Sequence, residues 1–210
     1  MMANDDVFRT VAGDFETEIE EKRSRFIAAV RRVSTAAEAE EFVRARKKAN
    51  PAARHTVYAY VLRDGSVRYT DDGEPQGTAG LPTLELIRHA GLADVCVATT
   101  RYFGGILLGT GGLTRAYAGA AKAALEGAGV AAFIRFTRLS VSLSYTDYQK
   151  LIQELPRFDG REETCDFAET VTLVCRVPAT EAEAFAARVT DLTAGRSMST
   201  MLGDVQDTAP

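Results

Sequence analysis

The order of predicted secondary-structure elements after residue 136 is the feature that most constrains the fold of this 210-residue chain. Apolar periodicity and turn residues predict a strand, a helix, two strands, a helix and a last strand. That order is typical of a ferredoxin-like sandwich, in which two helices cover an antiparallel sheet. Because the pattern is complete in itself, we predict a boundary near residues 133–138, with domains at 1–135 and 136–210.

The predicted second domain has apolar residues at the inward positions of its strands and helices. They are numerous enough to form a separate core, so we expect this domain to fold as a unit. The predicted core residues are Val141, Leu143, Leu151, Leu155, Val171, Leu173, Phe185 and Val189.

The first part of the sequence predicts an α/β domain. Alternating residues predict a hairpin around "EEKRS", and "RHTVYAYVLRDGSVRYT" predicts two more strands around an Asp-Gly turn. "TAAEAEEFVRARKKANP" predicts a helix with Thr35 as its N-cap, since Glu38 follows three residues later and Pro51 lies just past the end. "ADVCVATTRYF" is apolar on both faces, so we expect it to be a central strand of the sheet.

Composition limits the classes of protein to which the chain can belong. No apolar run approaches the length of a bilayer span, and the acidic N-terminal residues lack the basic start and apolar core of a signal peptide. Cys96, Cys165 and Cys175 are odd in number and form no CxxC motif. We therefore expect a cytoplasmic protein with reduced, structural cysteines and no membrane contact.

Charge is unevenly distributed along the chain, whose formal net charge is −4. Residues 1–135 contain 18 Lys and Arg against 17 Asp and Glu, whereas residues 136–210 contain 7 against 12. We therefore expect any polyanion site in the first domain. The acidic second domain is better suited to docking on a protein partner or to orienting the first domain.

The segment "TDDGEPQGTAG", residues 70–80, contains the acidic loop, which we define as residues 71–74. Asp, Gly and Pro are typical of a solvated turn. The three carboxylates of Asp71, Asp72 and Glu74 repel one another, however, unless a cation faces them. We therefore expect the acidic loop to lie against an arginine and to close a cleft.

The segment "TTRYFGGILLGTGGLTRAY", residues 99–117, contains five glycines, two arginines and the start of a predicted helix. Glycine allows the main chain to approach a phosphate, and the N–H groups of a helix start attract anions. We place Arg115 in the first turn of that helix and Arg101 at the end of the central strand, where they clamp an anion or pair with the acidic loop. The alternative is a strand-to-helix connection without a ligand. The predicted binding residues are His55, Asp71, Asp72, Glu74, Arg101, Gly104, Gly105, Gly109, Gly111, Gly112 and Arg115.

Motifs for other chemistries are incomplete. The glycine segment lacks the Lys of a P-loop, and Thr114 stands where a dinucleotide-binding GxGxxG needs its last glycine. No GxSxG motif is present. His55 begins a predicted strand, where a lone histidine is more often structural than catalytic, and nothing fixes it with the acidic loop as a metal site. We predict no catalytic residue, metal or cofactor, and "RARKKAN", residues 44–50, is either a solvated helix end or a phosphate-contacting patch.

The two glycine-rich segments, with "EKRSRFIA" near the start and "HTVYAY" in the middle, resemble the IMPACT family, including its bacterial, YigZ-like members. The resemblance covers roughly residues 14–125, where the order and spacing of the motifs match. Thr70 stands where the family usually has serine. Val57 stands where members often have cysteine, which argues against chemistry by a His–Cys pair.

The resemblance implies a first domain with the fold of the second domain of ribosomal protein S-five. It implies a second, ferredoxin-like domain similar to the last domain of elongation factor G, which agrees with the strand and helix order. Eukaryotic members of the family regulate translation. We therefore expect a translation-associated regulator, not an enzyme, that binds RNA or the ribosome through its first domain.

Two other functions are consistent with the same residues. One is an enzyme that acts on a small anionic substrate in the cleft between the acidic loop and the glycine segment, because kinases of small molecules share the implied fold. The other is a protein–protein adaptor, which the pI of about 5.4 favours over polyanion binding.

Overall fold

A computed structural model of the protein describes residues 7–208. The chain has a mixed α/β fold and divides into two units. The first unit is Phe8–Ala132, and the second begins at Phe133 and also includes Val7. No helix in the described residues is long and apolar enough to cross a membrane.

The first unit is built around a five-stranded antiparallel sheet, which follows a short strand, β1 (Val7–Val11). The strands of the sheet are β2 (Phe15–Glu21), β3 (Ser24–Arg32), β4 (His55–Val61), β5 (Val67–Thr70) and β6 (Val95–Tyr102). Their order is β2-β3-β6-β4-β5. β6 is therefore the central strand, as its sequence predicts, and all its residues except the last are buried.

Helices cover both faces of this sheet. They are α1 (Ala36–Ala49), α2 (Gly80–His89) and α3 (Gly109–Ala128). On one face, Ile87 of α2 and Tyr117 of α3 share a core with Phe26 of β3. On the other face, Phe42 of α1 shares a second core with Tyr60 of β4. Each fully buried side chain of this size contributes roughly 1.5–3 kcal/mol, so both layers hold the sheet in place.

The start of α1 is fixed by local hydrogen bonds, as its sequence predicts. The Thr35 side chain accepts from the Glu38 N–H at 3.2 Å. The Glu38 carboxylate accepts from the Ser34 N–H at 2.8 Å. The last turn of α1 carries three basic residues, whose charge is favourable beside the carbonyl end of a helix.

The second unit has the ferredoxin-like arrangement. Its strands are β7 (Val130–Leu143), β8 (Arg161–Phe167), β9 (Val171–Pro178) and β10 (Ser199–Thr208), and its helices are α4 (Tyr145–Glu154) and α5 (Ala182–Leu192). Short 3-10 turns stand at Leu155–Phe158 and Ala179–Glu181. The sheet has the order β1-β7-β9-β8, and β10 also pairs with β7. The pairs β10–β7, β7–β9 and β9–β8 are antiparallel. β7 begins before Phe133, so its first residues belong to the first unit.

The core of the second unit contains the residues that the sequence predicts. All eight predicted core residues are buried. Cys175 lies in this core, and Cys96 lies in the core beneath α1. Burial raises the pKa of both thiols to about 12, so both remain protonated near neutral pH. The three cysteines are free thiols.

Two strands have other boundaries than the segments in which the sequence predicts them, "RLSVSLSY" at residues 138–145 and "RSMSTML" at residues 196–202. β7 begins at Val130 and not near residue 138. Residues 130–135 are all exposed or partly exposed, so they show no alternation of apolar and polar side chains in the sequence. Aromatic and β-branched residues in this part nevertheless favour a strand. β10 extends to Thr208 and not to residue 202, because it pairs with β7 along its whole length apart from one register shift.

The start of α3 also differs from the expectation. The helix begins at Gly109, so three glycines that the sequence places in a loop lie in its first turn. Arg115 is therefore in the second turn and not in the first. Glycine costs about 1 kcal/mol per helical position. Packing of the buried face from Leu113 onward outweighs this cost.

We expect the second unit to fold without the first, because its core is complete within the unit. A chain of residues 133–210 should unfold in one cooperative thermal transition, measured by circular dichroism. In this fragment, Phe185→Ala removes a fully buried ring. It should lower the free energy of unfolding by about 3–5 kcal/mol. Leu202→Ala, at a position that is 48% exposed, is the matched control. A fragment without a cooperative transition would contradict the prediction.

Candidate functional site

The register of the sheet in the first unit brings His55 and both glycine-rich segments to one end of the sheet. Arg101, near the end of β6, pairs with Phe26 of β3 and with His55 of β4. β3 and β4 therefore begin where β6 ends. Thr70, the last residue of β5, pairs with Tyr58 near the start of β4, so the acidic loop leaves the sheet at this same end.

Glu74 of the acidic loop forms a buried ion pair with Arg101. Arg101 Nη1 donates to Glu74 Oε1 at 2.8 Å and to Oε2 at 3.1 Å. The Glu74 and Arg101 side chains are 3% and 9% exposed. This confirms the expectation that the acidic loop lies against an arginine.

Tyr117 of α3 completes this buried group by donating its hydroxyl to Glu74 Oε1 at 2.8 Å. Burial raises the pKa of Tyr117, and the adjacent Glu74 carboxylate raises it further. The phenol therefore stays protonated and acts as a donor. Glu74, Arg101 and Tyr117 form what we call the buried triad, which joins the acidic loop, β6 and α3.

Asp71 organises the segment that leads into α2. Its carboxylate accepts from three backbone N–H groups, those of Gly77 at 2.8 Å, Ala79 at 3.0 Å and Gly80 at 2.8 Å. Two of these donors stand at the start of α2, where helical N–H groups have no partner within the helix. Asp71 therefore caps the start of α2 although it lies well before the helix in the sequence, and its role is structural.

Asp72 fixes the start of β4. Its carboxylate accepts from the Thr56 N–H at 2.7 Å and from Lys47 Nζ of α1 at 2.9 Å. Its backbone carbonyl lies 2.7 Å from His55 Nδ1. A carbonyl oxygen only accepts, so Nδ1 carries the proton. In the neutral imidazole, the lone pair of Nε2 then remains for a ligand.

Gly73 makes room for the imidazole. A Cβ at this position would lie 3.3 Å from two atoms of the His55 ring. Its φ of +88° is also in the range that favours glycine.

His55 lines a pocket of about 210 Å³, whose other residues are Arg54, Arg101, Phe103 and Leu107. Arg101 Cζ lies 5.5 Å from the centre of the Phe103 ring. Phe103 is 51% exposed and Leu107 is 82% exposed. Among the described residues, Arg101 Nε is one of few buried side-chain atoms without a hydrogen-bond partner. We call this pocket the His55 pocket.

The glycines of the second segment shape the loop between β6 and α3. A Cβ at Gly104 would lie 2.0 Å from the backbone carbon of Arg23, so only glycine fits. The Gly104 N–H donates to Ser24 Oγ at 3.1 Å. Gly105 and Gly109 have φ values of +84° and +71°, which glycine adopts most readily. These roles are conformational.

The last two predicted glycines lie in the first turn of α3. A Cβ at Gly112 would lie 3.0 Å from Leu108 Cβ, so the start of the helix leaves little room for a side chain at this position. A Cβ at Gly111 would be 3.6 Å from Arg115 Nη1, which is ordinary contact.

Arg115 lines a different pocket from Arg101. Its neighbours there include Lys22, Glu21 and Gly112. The structure therefore places the two arginines of the predicted clamp in separate pockets.

The sequence predicts the hairpin between β2 and β3 around "EEKRS", but sequence reasoning missed the backbone angles of its turn. Lys22 and Arg23 have φ values of +47° and +65°, the signs of a type I′ turn, which normally takes Asn-Gly. Left-handed angles cost a residue with a side chain roughly 1–2 kcal/mol. The "KR" dipeptide between two predicted strands could have indicated this feature, because it places two cations where a two-residue turn normally has Asn-Gly.

The cations at this end of the sheet fall into two groups. Arg25 pairs with Glu18 and Lys47 with Asp72, while Arg101 belongs to the buried triad. In the part of the chain that the structure describes, Arg9, Arg44, Lys48, Arg63 and Lys150 are exposed cations without an ion pair. Four more exposed cations without an ion pair lie in the β2–β3 turn, just before β4 and near the start of α3. These four, which we call the basic end, are Lys22, Arg23, Arg54 and Arg115.

The helix run "RARKKAN" is partly neutralised. Arg46 pairs with Glu16 and Lys47 with Asp72. Across residues 7–208, no group of three or more His, Cys, Asp or Glu side chains is arranged to hold a metal ion.

We expect Glu74→Gln to destabilise the protein strongly. The amide retains the size of the carboxylate but leaves the buried Arg101 charge without a counterion, which costs roughly 3–5 kcal/mol. Urea denaturation would measure the change in the free energy of unfolding.

Glu18→Gln is the matched control, because the Glu18–Arg25 pair is about half exposed. An exposed pair contributes only about 0–1 kcal/mol. Equal losses for Glu74→Gln and Glu18→Gln would show that the buried triad does not stabilise the fold as proposed.

Comparisons with known proteins cover most of the chain. Two family models match, the Impact N-terminal domain at residues 22–125 and the domain of unknown function DUF1949 at residues 141–196. The chain is 40% identical to IMPACT family member YvyE of Bacillus subtilis, over 89% of this chain and 86% of that protein. It is 34% identical to IMPACT family member YigZ of Escherichia coli, over 85% of this chain and 90% of that protein. A solved structure described as a hypothetical protein matches with a TM-score of 0.64 and 30% identity, over 92% of this chain and 96% of that chain. These matches confirm the resemblance found in the sequence, and the chain belongs to the IMPACT family.

Proposed function

We propose that the protein is a translation-associated regulator that binds RNA or the ribosome through its first unit. The IMPACT family is related to the regulation of translation. In this proposal, phosphates contact the basic end, and the loop between β6 and α3 lies beside them.

The observation that carries the proposal is the grouping of unpaired cations at the basic end. They come from three segments that are distant in sequence, namely the β2–β3 turn, the residue before β4, and α3. Cations that stabilise a fold are usually paired, whereas a cluster left unpaired repels itself and attracts a polyanion. Phosphate contacts by Lys and Arg supply most of the sequence-independent affinity for nucleic acid.

The strain in the β2–β3 turn supports the same proposal. Lys22 and Arg23 hold unfavourable backbone angles in an exposed turn. Strained conformations are concentrated at functional sites, where the surrounding structure holds them. Here Gly104 packs against the backbone of Arg23 and holds the turn in place.

The second unit has a different charge balance, with 7 basic and 12 acidic residues from residue 136 onward. A surface with excess carboxylates repels RNA but suits a basic protein surface. We propose that the second unit docks on a protein partner and that RNA contacts come from the first unit.

An enzyme acting on a small anionic substrate is a second candidate. One observation favours it, since His55 presents Nε2 in a pocket that also contains Arg54 and Arg101. Asp71 and Asp72 are occupied by backbone and lysine donors, so His55 is the side chain suited to act as a base. This candidate requires turnover of a small anion that His55→Gln abolishes and that salt affects little.

If the proposed function is correct, binding to ribosomes should weaken steeply as salt rises. Arg54→Ala and Arg115→Ala should each weaken binding and reduce the slope of log affinity against log salt by about 1. Arg101→Ala is a poor probe because it breaks the buried triad. Co-sedimentation with ribosomes at increasing salt measures both effects.

Arg88→Ala is the matched control for these variants. It removes the same charge from an exposed residue in the last turn of α2, away from the basic end. Salt-insensitive binding that survives both arginine changes would argue for the protein–protein adaptor instead.

Replacing Lys22-Arg23 by Asn-Gly should separate stability from binding. The new residues suit a type I′ turn, so the free energy of unfolding should rise by about 1 kcal/mol or more. Binding should fall because two cations are lost. Lys22→Gln with Arg23→Gln removes the charges but keeps the strain, so it should lose binding without gaining stability. Undiminished binding by both double variants would remove the turn from the proposed interface.

A further inference from the structure

The His55 pocket has a size and lining that the contacts of the fold do not explain. Its volume of about 210 Å³ is below the roughly 300–1,000 Å³ of pockets that enclose a whole small molecule. It therefore suits a single flat group and not a large substrate.

Two walls of the His55 pocket are apolar and exposed. Phe103 and Leu107 stand four residues apart in the loop between β6 and α3, and Gly105 between them has a φ of +84°. Phe103 is 51% exposed and Leu107 is 82% exposed. The Arg101 guanidinium lies 5.5 Å from the centre of the Phe103 ring, so a fixed cation accompanies a ring that is still open to a ligand.

The other side of the His55 pocket is polar. Arg54 is exposed and belongs to the basic end. His55 is oriented by its bond to the Asp72 carbonyl, which leaves Nε2 for a ligand. Arg101 Nε is buried without a hydrogen-bond partner, and a buried donor in this state is unfavourable unless a ligand or water satisfies it.

The charge in the His55 pocket is small. Glu74 neutralises Arg101, and Lys47 neutralises the Asp72 carboxylate beside His55. Arg54 is therefore the fixed charge that remains. One arginine binds an isolated phosphate weakly, so an occupant also needs contact with the apolar walls.

We propose that the His55 pocket binds one unpaired nucleotide of single-stranded RNA. The base stacks on Phe103 and contacts Leu107, its phosphate contacts Arg54, and a ribose hydroxyl donates to His55 Nε2. This inference rests on the proposed function and names its substrate class. A base in a duplex is stacked between its neighbours, whereas a base in a single strand is free to stack on an aromatic side chain.

The other cations of the basic end fit the same ligand. Lys22 and Arg115 share the neighbouring pocket at the start of α3. They lie at the same end of the sheet, where they contact the phosphates of adjacent nucleotides in this arrangement.

The test compares two labelled RNAs, a 12-nucleotide oligouridine and a blunt-ended 12-base-pair duplex, by fluorescence anisotropy at low salt with the full chain. Wild type should bind the single strand more tightly. Phe103→Leu, which keeps an apolar side chain but removes the aromatic face, should weaken single-strand binding by about tenfold. It should leave duplex binding unchanged.

Two variants control for other effects of the substitution. Phe103→Tyr keeps the ring and should bind like wild type. Tyr69→Leu removes another exposed aromatic ring of the first unit and should have no effect. Thermal denaturation of each variant confirms that the fold is retained.

Each alternative result has a definite meaning. Equal binding of both RNAs by wild type, with Phe103→Leu unchanged, would overturn the nucleotide pocket but leave RNA binding by the basic end intact. Equal losses for both RNAs in Phe103→Leu would also overturn it, because stacking on an unpaired base cannot act on a duplex. Absence of binding to either RNA and to ribosomes would overturn the inference together with the proposed function.

Discussion

The buried triad of Glu74, Arg101 and Tyr117 is the interaction on which the geometry of the site depends. Removing a carboxylate and a guanidinium from water is costly, and the cost is offset only when both charges meet with good geometry and further hydrogen bonds. Here the two-fold contact from Arg101 and the phenol of Tyr117 provide that geometry. The acidic loop is thereby fixed to the centre of the sheet, and Asp71 and Asp72, on the same loop, fix α2 and the start of β4.

Much of the fold could be predicted from the sequence, because its signals are local. The apolar run of β6 indicates a central strand, and the core of the second unit follows from alternation and helical periodicity. Charge balance predicts that the acidic loop contacts Arg101 or Arg115, and the structure shows that the partner is Arg101. The separation of Arg101 from Arg115 could not be predicted, since it depends on the path of a glycine-rich loop that has no periodicity.

Other features of the site could not be predicted from the sequence for a different reason. The cap that Asp71 provides acts on N–H groups six to nine residues later, beyond the spacing at which capping motifs are recognised. The angles at Lys22 and Arg23 could not be predicted either, because the sequence indicates a turn but not the sign of φ. Several glycines of the second segment shape the main chain, which requires knowledge of the loop path and is not indicated by their number or spacing.

The contact of Gly104 with the backbone of Arg23 joins two segments that are 81 residues apart in the chain, through atoms that every amino acid possesses. Side chains on the turn and on the pocket loop can change without disturbing this contact, because none of them takes part in its closest approach. The charge and shape of the surface around this contact can therefore diverge during evolution through residues such as Arg23 and Phe103. Position 104 itself has no comparable freedom, because any added carbon would push the two segments apart.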